Sequence, residues 1–187
     1  MMEKEIRAIA NEDFLEKLND YQLSETKSYG PYVDEYYRPR GISPKEFDPN
    51  DVTLRIRKQS TEKEVSILLD KTSCENGLKK SVYGKIILFK GSEEMAKDIL
   101  KTLNFEHWLS IEKRGAKEYR LVDEKSNLDF KFYLEYIEGV GNMIEVEFKT
   151  SEAEANADKI VSLLGIEKKN IISKSMASFV AERLGLI

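Results

Sequence analysis

Glu3-Lys4-Glu5-Ile6-Arg7 decides how this chain is read, because charged side chains recur on alternate positions of a segment patterned as a strand. Residues two apart on a strand point the same way, so Glu3, Glu5 and Arg7 share one face and Met2, Ile6 and Ala8 the other. Taken singly, the segment is a half-exposed strand with its apolar side in and its charged side out. The alternation returns along the chain. Leu54 and Ile56 oppose Arg55 and Arg57; Phe130, Phe132 and Leu134 oppose Lys131, Tyr133 and Glu135; Ile144, Val146 and Phe148 oppose Glu145 and Glu147. Two arrangements satisfy such strands. In a sandwich the apolar faces meet and the charges are solvated. In a closed barrel the apolar faces point outward under covering helices, and the lumen holds the charges.

At 187 residues the chain suffices for one domain with a sizeable core, and residues 1–187 are read as one. Charged residues make up 34%, above the usual quarter. The net charge of -4 argues against a broad nucleic-acid or membrane-binding surface, while leaving room for a local basic pocket. One cysteine, Cys74, excludes an intrachain disulfide. The chain is charged from its third residue and no run reaches transmembrane length, so a cytoplasmic location is expected.

Periodicity predicts a helix over 11–23, strands over 29–38, 51–58, 64–71 and 81–90, and a hairpin of 105–114 with 117–123 turned at Gly115-Ala116. Strands over 129–138 and 143–149 follow, joined by a turn at 139–142. Ser92 caps a helix with the apolar stripe Met95, Ala96, Ile99, Leu100 and Leu103. Ser151 and Glu154 form a capping box for a helix through Leu164, and Ser175 opens a last helix ending at Gly185. About eight strands and four helices, with strand mostly following strand, give an α+β fold built on an antiparallel sheet.

Among the other candidates, His107 beside Trp108 reads as a packing or surface residue, and Cys74 has no motif partner. Tyr32, Tyr36 and Tyr37 read as strand formers. The strand faces collect Glu3, Glu5, Glu135, Glu145 and Glu147 on the acidic side and Arg7, Arg55, Arg57, Lys71 and Arg114 on the basic side. Arginine grips phosphate oxygens through a planar fork, but carboxylates in the same space repel a polyphosphate. A divalent cation, Mg2+ or Mn2+, resolves that conflict, since carboxylates are hard oxygen ligands and the ion bridges to phosphate. The mixture fits a metal-bound triphosphate.

Glu3-Lys4-Glu5-Ile6-Arg7 also resembles the N-terminal ExExK signature of the CYTH superfamily, the triphosphate tunnel metalloenzymes that include class IV adenylyl cyclases and thiamine triphosphatases, with Arg7 where Lys is usual. Leu54-Arg55-Ile56-Arg57 resembles its arginine-paired strand, Lys71 its following lysine and Glu112-Lys113-Arg114 its later basic strand. The segment from Leu134 to Glu147 is similar to its acid, glycine turn and paired-glutamate strand. The segment from Lys80 to Ile87 departs from the family in lacking acids, and Glu135 stands where Asp is common.

The resemblance implies an eight-stranded antiparallel β-barrel, a tunnel with helices packed outside. Glu3, Glu5, Glu135, Glu145 and Glu147 would hold the metals. Arg7, Arg55, Arg57, Lys71 and Arg114 would bind the substrate, with Arg57 and Lys71 as the catalytic charges. The expected activity is a metal-dependent phosphohydrolase acting on an inorganic, organic or nucleoside triphosphate. An adenylyl cyclase releasing pyrophosphate from ATP is one alternative, and a non-catalytic anion receptor is another. The expected partner is a small-molecule triphosphate, with neither nucleic acid nor membrane, and a homodimer is allowed.

Overall fold

The computed structural model describes residues 4–11, 14–47, 52–75, 78–81, 86–148 and 155–187. Eleven strands lie in one sheet: β1 Lys4–Ile9, β2 Gln22–Tyr29, β3 Tyr32–Pro39, β4 Thr53–Gln59, β5 Val65–Asp70, β6 Thr72–Glu75, β7 Leu78–Ser81, β8 Ile86–Gly91, β9 Phe105–Asp123, β10 Leu128–Ile137 and β11 Gly141–Phe148. Three α-helices accompany them among the described residues: α1 Glu93–Thr102, α2 Ala157–Leu163 and α3 Met176–Arg183. The strands run in the order β6-β7-β1-β11-β10-β9-β3-β4-β5-β8, with β2 attached to β9. Every pairing is antiparallel.

This sheet curls into a tunnel that hydrogen bonds alone do not close among the described residues. Its order ends at β6 and β8, yet β5 continues into β6 through the single residue Lys71. The chain itself therefore spans the seam. In the same way β2 and β3 run end to end along the 19-residue β9, broken only at Gly30-Pro31. Counting each of these pairs as one row, and β7 and β8 as another because they pair with β6 and β5 of a single row, turns the eleven strands into eight rows. That is how the eight-stranded expectation meets the structure.

The apolar faces point outward, under helices. Ile6, Phe132, Ile144 and Val146 pack beneath α2 with Ile160 and Leu164. Leu54, Ile56 and Ile67 pack beneath α1 with Ala96 and Leu100. A third cluster fills one end of the tunnel, where Ile111, Ile137 and Met143 meet Met176 and Val180 of α3. The inward row of each strand changes character at that level: Glu5 and Arg7 give way to Ile9 on β1, Glu147 and Glu145 to Met143 on β11, and Glu135 to Ile137 on β10. One end is plugged by apolar side chains, and the charges occupy the space before it.

Two expectations are corrected. The helix predicted over 11–23 shrinks to a three-residue 3-10 helix, Glu16–Leu18, and 22–29 is strand β2. β2 is exposed along most of its length, so it carries no alternation to announce it. The predicted hairpin at Gly115-Ala116 is instead the middle of β9. Gly115 has φ +132° and faces the break in the neighbouring row, where a Cβ would stand 2.7 Å from the Tyr29 carbonyl oxygen. The glycine permits a close approach between strands, without reversing the chain. The α1 and α3 caps match the reading: Ser92 Oγ accepts from the Met95 amide and Ser175 Oγ from the Ser178 amide. The Ser151–Glu154 capping box lies outside the described residues.

Gly115→Ala should therefore destabilise the fold by about 2 to 4 kcal/mol in urea denaturation, since a strained φ and a backbone contact both stand against the methyl group. Gly41→Ala is the control. Its φ is also positive, +88°, but nothing lies within 4 Å, and it should cost about 1 kcal/mol.

Candidate functional site

Alternation along seven strands turns a set of charged side chains into one cavity of about 550 Å3. Arg7, Asp34, Arg55, Arg57, Asp70, Lys113, Glu135, Glu145 and Glu147 line it, with Ser175, Met176 and Ala177 where α3 begins. Such a volume lies in the range of small-molecule sites. Tyr29, Tyr32 and Tyr133 line it too, together with Gln59 and Thr61.

The β3–β4 ladder sets Asp34 opposite Arg57. Its carboxylate accepts two hydrogen bonds from that guanidinium, Nε to Oδ1 and Nη2 to Oδ2, both 2.7 Å. Arg55 Nε stands 3.6 Å from Oδ2 and makes no hydrogen bond, although it is buried. Burial alone would raise the Asp34 pKa, but the Arg55 charge and the Arg57 hydrogen bonds outweigh it and hold the group at about 2. Burial likewise opposes the Arg57 charge, and Asp34 more than restores it. The guanidinium of Arg57 also lies 4.5 Å from the centre of the Tyr32 ring, a cation–π contact.

On β1 and β11 the register sets Arg7 opposite Glu145 and Glu5 opposite Glu147. Arg7 bridges two carboxylates: Nε donates to Glu145 Oε2 at 2.7 Å and Nη2 lies 2.8 Å from Glu5 Oε1. Lys113 of β9 pairs with Glu135 of β10, and both are buried. Burial would discharge the lysine, but Glu135 holds its ammonium well above the ordinary range. Further along the same face, Glu118 accepts hydrogen bonds from Thr26 Oγ1 at 2.7 Å, Lys131 Nζ at 2.6 Å and the Tyr133 hydroxyl at 2.9 Å. The Lys131 and Thr26 bonds lower its pKa to about 2.

Of the residues expected from sequence, Arg7, Arg55, Arg57, Glu135, Glu145 and Glu147 line this cavity, and Glu5 is buried beside Arg7. Glu3 lies outside the described residues. Arg114 is two-thirds exposed, away from the cavity, and pairs with Glu138 at 2.8 Å. Lys113 holds the inward position instead, on the face of Ile111, before the register shift between β9 and β10 resets the phase. Lys71 is exposed at the β5–β6 seam and does not line the cavity. The sequence reading missed Asp34, which shares the alternation of Tyr32 and Tyr36, and it missed the start of α3. His107 lies outside the cavity, its Nε2 2.9 Å from Ser110 Oγ.

Whether the site could hold a divalent cation rests on its donors. Glu5, Glu145 and Glu147 offer hard oxygens on two adjoining strands, which fits Mg2+ or Mn2+. Among the described residues, however, no three His, Cys, Asp or Glu side chains gather closely enough to hold an ion unaided. Arg7 occupies the space between two of them.

Comparison with known proteins follows the same line. The model of the CYTH domain matches residues 1–179. Solved structures share the fold: the PH1819 protein of Pyrococcus horikoshii has 21% identity, covering 97% of this chain and 99% of its own, at a TM-score of 0.69. An adenylate cyclase candidate from Vibrio parahaemolyticus has 14% identity over 97% and 98%, at 0.62. A Hippeastrum protein, an adenylyl cyclase candidate with a dominant triphosphatase activity, has 12% identity over 99% and 96%, at 0.57. No curated protein matches the sequence. No helix among the described residues is long and apolar enough to cross a membrane.

The ion pairs make stability depend on pH with a definite sign. Asp34 has a folded pKa of about 2 against an ordinary 3.8, so its contribution is complete above about pH 5 and disappears as pH falls through 2. Urea titrations from pH 7 to pH 2.5 should show this loss, on the order of 2 kcal/mol for that one group. Asp34→Asn should cost about 3 to 5 kcal/mol at pH 7, because two buried arginines lose their anion, and should flatten the acid limb.

Proposed function

Starting from the fact that the chain belongs to the CYTH domain family, we propose that it is a metal-dependent triphosphatase acting inside the tunnel. The observation that carries this reading is the facing of four cations, Arg7, Arg55, Arg57 and Lys113, against the carboxylates of Glu135, Glu145 and Glu147 in one cavity, with Glu5 buried beside Arg7. Four cations in a low-dielectric space form an anion receptor of high charge density. The start of α3 adds its positive dipole end to the same wall. Carboxylates beside them suit a substrate that arrives with a divalent cation.

Glu5, Glu145 and Glu147, with Glu135 beside them and Glu3 from the segment outside the described residues, would hold that cation. Bound there, Mg2+ or Mn2+ would neutralise phosphate charge and polarise the phosphorus. The chain's own residues do the rest. Asp34 fixes the plane of Arg57 through two hydrogen bonds, so that guanidinium meets the phosphate oxygens already oriented. Arg55 brings a buried Nε that has no hydrogen bond to lose. Lys113 stays charged through its contact with Glu135 and supports the charge that grows on the leaving phosphate oxygen. Phosphoryl transfer asks for positioning and charge stabilisation above all, and these residues supply both.

Incubation with inorganic tripolyphosphate, ATP or thiamine triphosphate and Mg2+ or Mn2+ should release free phosphate. Cyclic AMP with pyrophosphate would mean cyclisation instead, and tight binding without product would mean a receptor. Arg57→Ala and Lys113→Ala should each lower kcat/KM by about 10²- to 10³-fold. Arg114→Ala and Lys71→Ala should stay within about twofold of the parent, because neither side chain lines the cavity. A large loss in Lys71→Ala would restore it to the site.

A further inference from the structure

We propose that Arg7 is a built-in counter-ion that competes with the divalent cation for Glu5 and Glu145, so that metal and triphosphate bind cooperatively through its displacement. The inference rests on the triphosphate reading above and adds a role for one residue within it. Its basis is geometric. One guanidinium reaches Glu145 Oε2 with Nε at 2.7 Å and Glu5 Oε1 with Nη2 at 2.8 Å. Arg7 is opposite Glu145 across the β1–β11 ladder and Glu5 is two residues away on the same face, so the planar fork spans both carboxylates from a fixed backbone. All three side chains are nearly buried, with 12% of the Arg7 side chain, 8% of that of Glu5 and 10% of that of Glu145 exposed.

A divalent cation draws its carboxylate oxygens to within about 2.0 to 2.6 Å. With the fork in place, an ion bound to Glu5 and Glu145 would sit next to a positive charge in a space where water screens little. The ion and the guanidinium are therefore alternative partners for the same carboxylates. Arg7 lines the cavity, so a triphosphate entering it presents phosphate oxygens as new acceptors for the fork. When the guanidinium turns to phosphate, the two contacts it made, on Glu145 Oε2 and Glu5 Oε1, pass to the metal. By linkage, each ligand strengthens the other to the same degree. A lysine at this position would offer a single point charge that cannot span both carboxylates in one plane.

Calorimetric titration of the full chain with MnCl2 alone reads the competition without any turnover. Arg7→Gln and Arg7→Lys should each bind Mn2+ more tightly than the parent, by on the order of tenfold for the glutamine and less for the lysine. In thermal unfolding, Arg7→Gln should be less stable than the parent in EDTA and should recover more on adding Mn2+. Adding tripolyphosphate should tighten Mn2+ binding in the parent more than in Arg7→Gln. Mn2+ binding that is equal or weaker in the variants overturns the proposal. If Arg7→Gln does not fold, Arg7→Lys decides alone, by the same criterion. Failure of the triphosphatase reading looks different: the parent would then neither bind nor hydrolyse tripolyphosphate with Mn2+, whatever the two variants do with the metal alone.

Discussion

Opposite charges buried face to face inside a curled sheet are the constraint on which this structure depends. A lone charge in such a space would be discharged or the strand would turn it outward, so each inward cation lies beside an anion, and for Arg7 and Arg57 the register sets that anion directly opposite. Asp34 faces Arg57 across β3 and β4, Arg7 faces Glu145 across β1 and β11, and Lys113 meets Glu135 between β9 and β10. The pairing does not have to add net stability to matter. Breaking any one pair leaves an uncompensated charge, and that penalty holds the register in place.

The helices follow from the same constraint. Because charges claim the inside, the apolar rows of β1, β10 and β11 must find cover outside, and those of β3, β4 and β5 likewise; α2 and α1 supply it. The α3 helix does something different. It brings Met176 and Val180 into the tunnel end, where the inward rows have already become apolar, and leaves its first residues against the charged cavity. Fold and site are thus set by one boundary, the level at which Glu5 and Arg7 give way to Ile9.

Much of this was legible in the alternation. Arg7, Arg55, Arg57, Glu135, Glu145 and Glu147 could be placed on one side of their strands because period-2 patterning is a direct consequence of strand geometry. The choice of inside over outside needed the repetition of charged faces on several strands. What remained hidden has particular causes. Asp34 sits among tyrosines that are ordinary strand formers, so its neighbours masked it. Lys113 and Arg114 are adjacent, and only the β9–β10 register shift and the burial of Ile111 show which one turns inward. β2 pairs along its backbone while its side chains stay exposed, so hydrophobic patterning is silent about it. Gly115 carried a true signal, a glycine needed for its backbone, but a close approach and a chain reversal ask for the same residue.

The seam at Lys71 has a mechanical meaning. Elsewhere around the wall, neighbouring rows are laced by hydrogen bonds, so the circumference is fixed by the sum of their spacings. At the seam the backbone of Lys71 links a strand that pairs with β4 and β8 to one that pairs with β7. The tunnel is a clasped band: where the ladder order runs out, the continuity of the chain itself carries the wall from one row to the next.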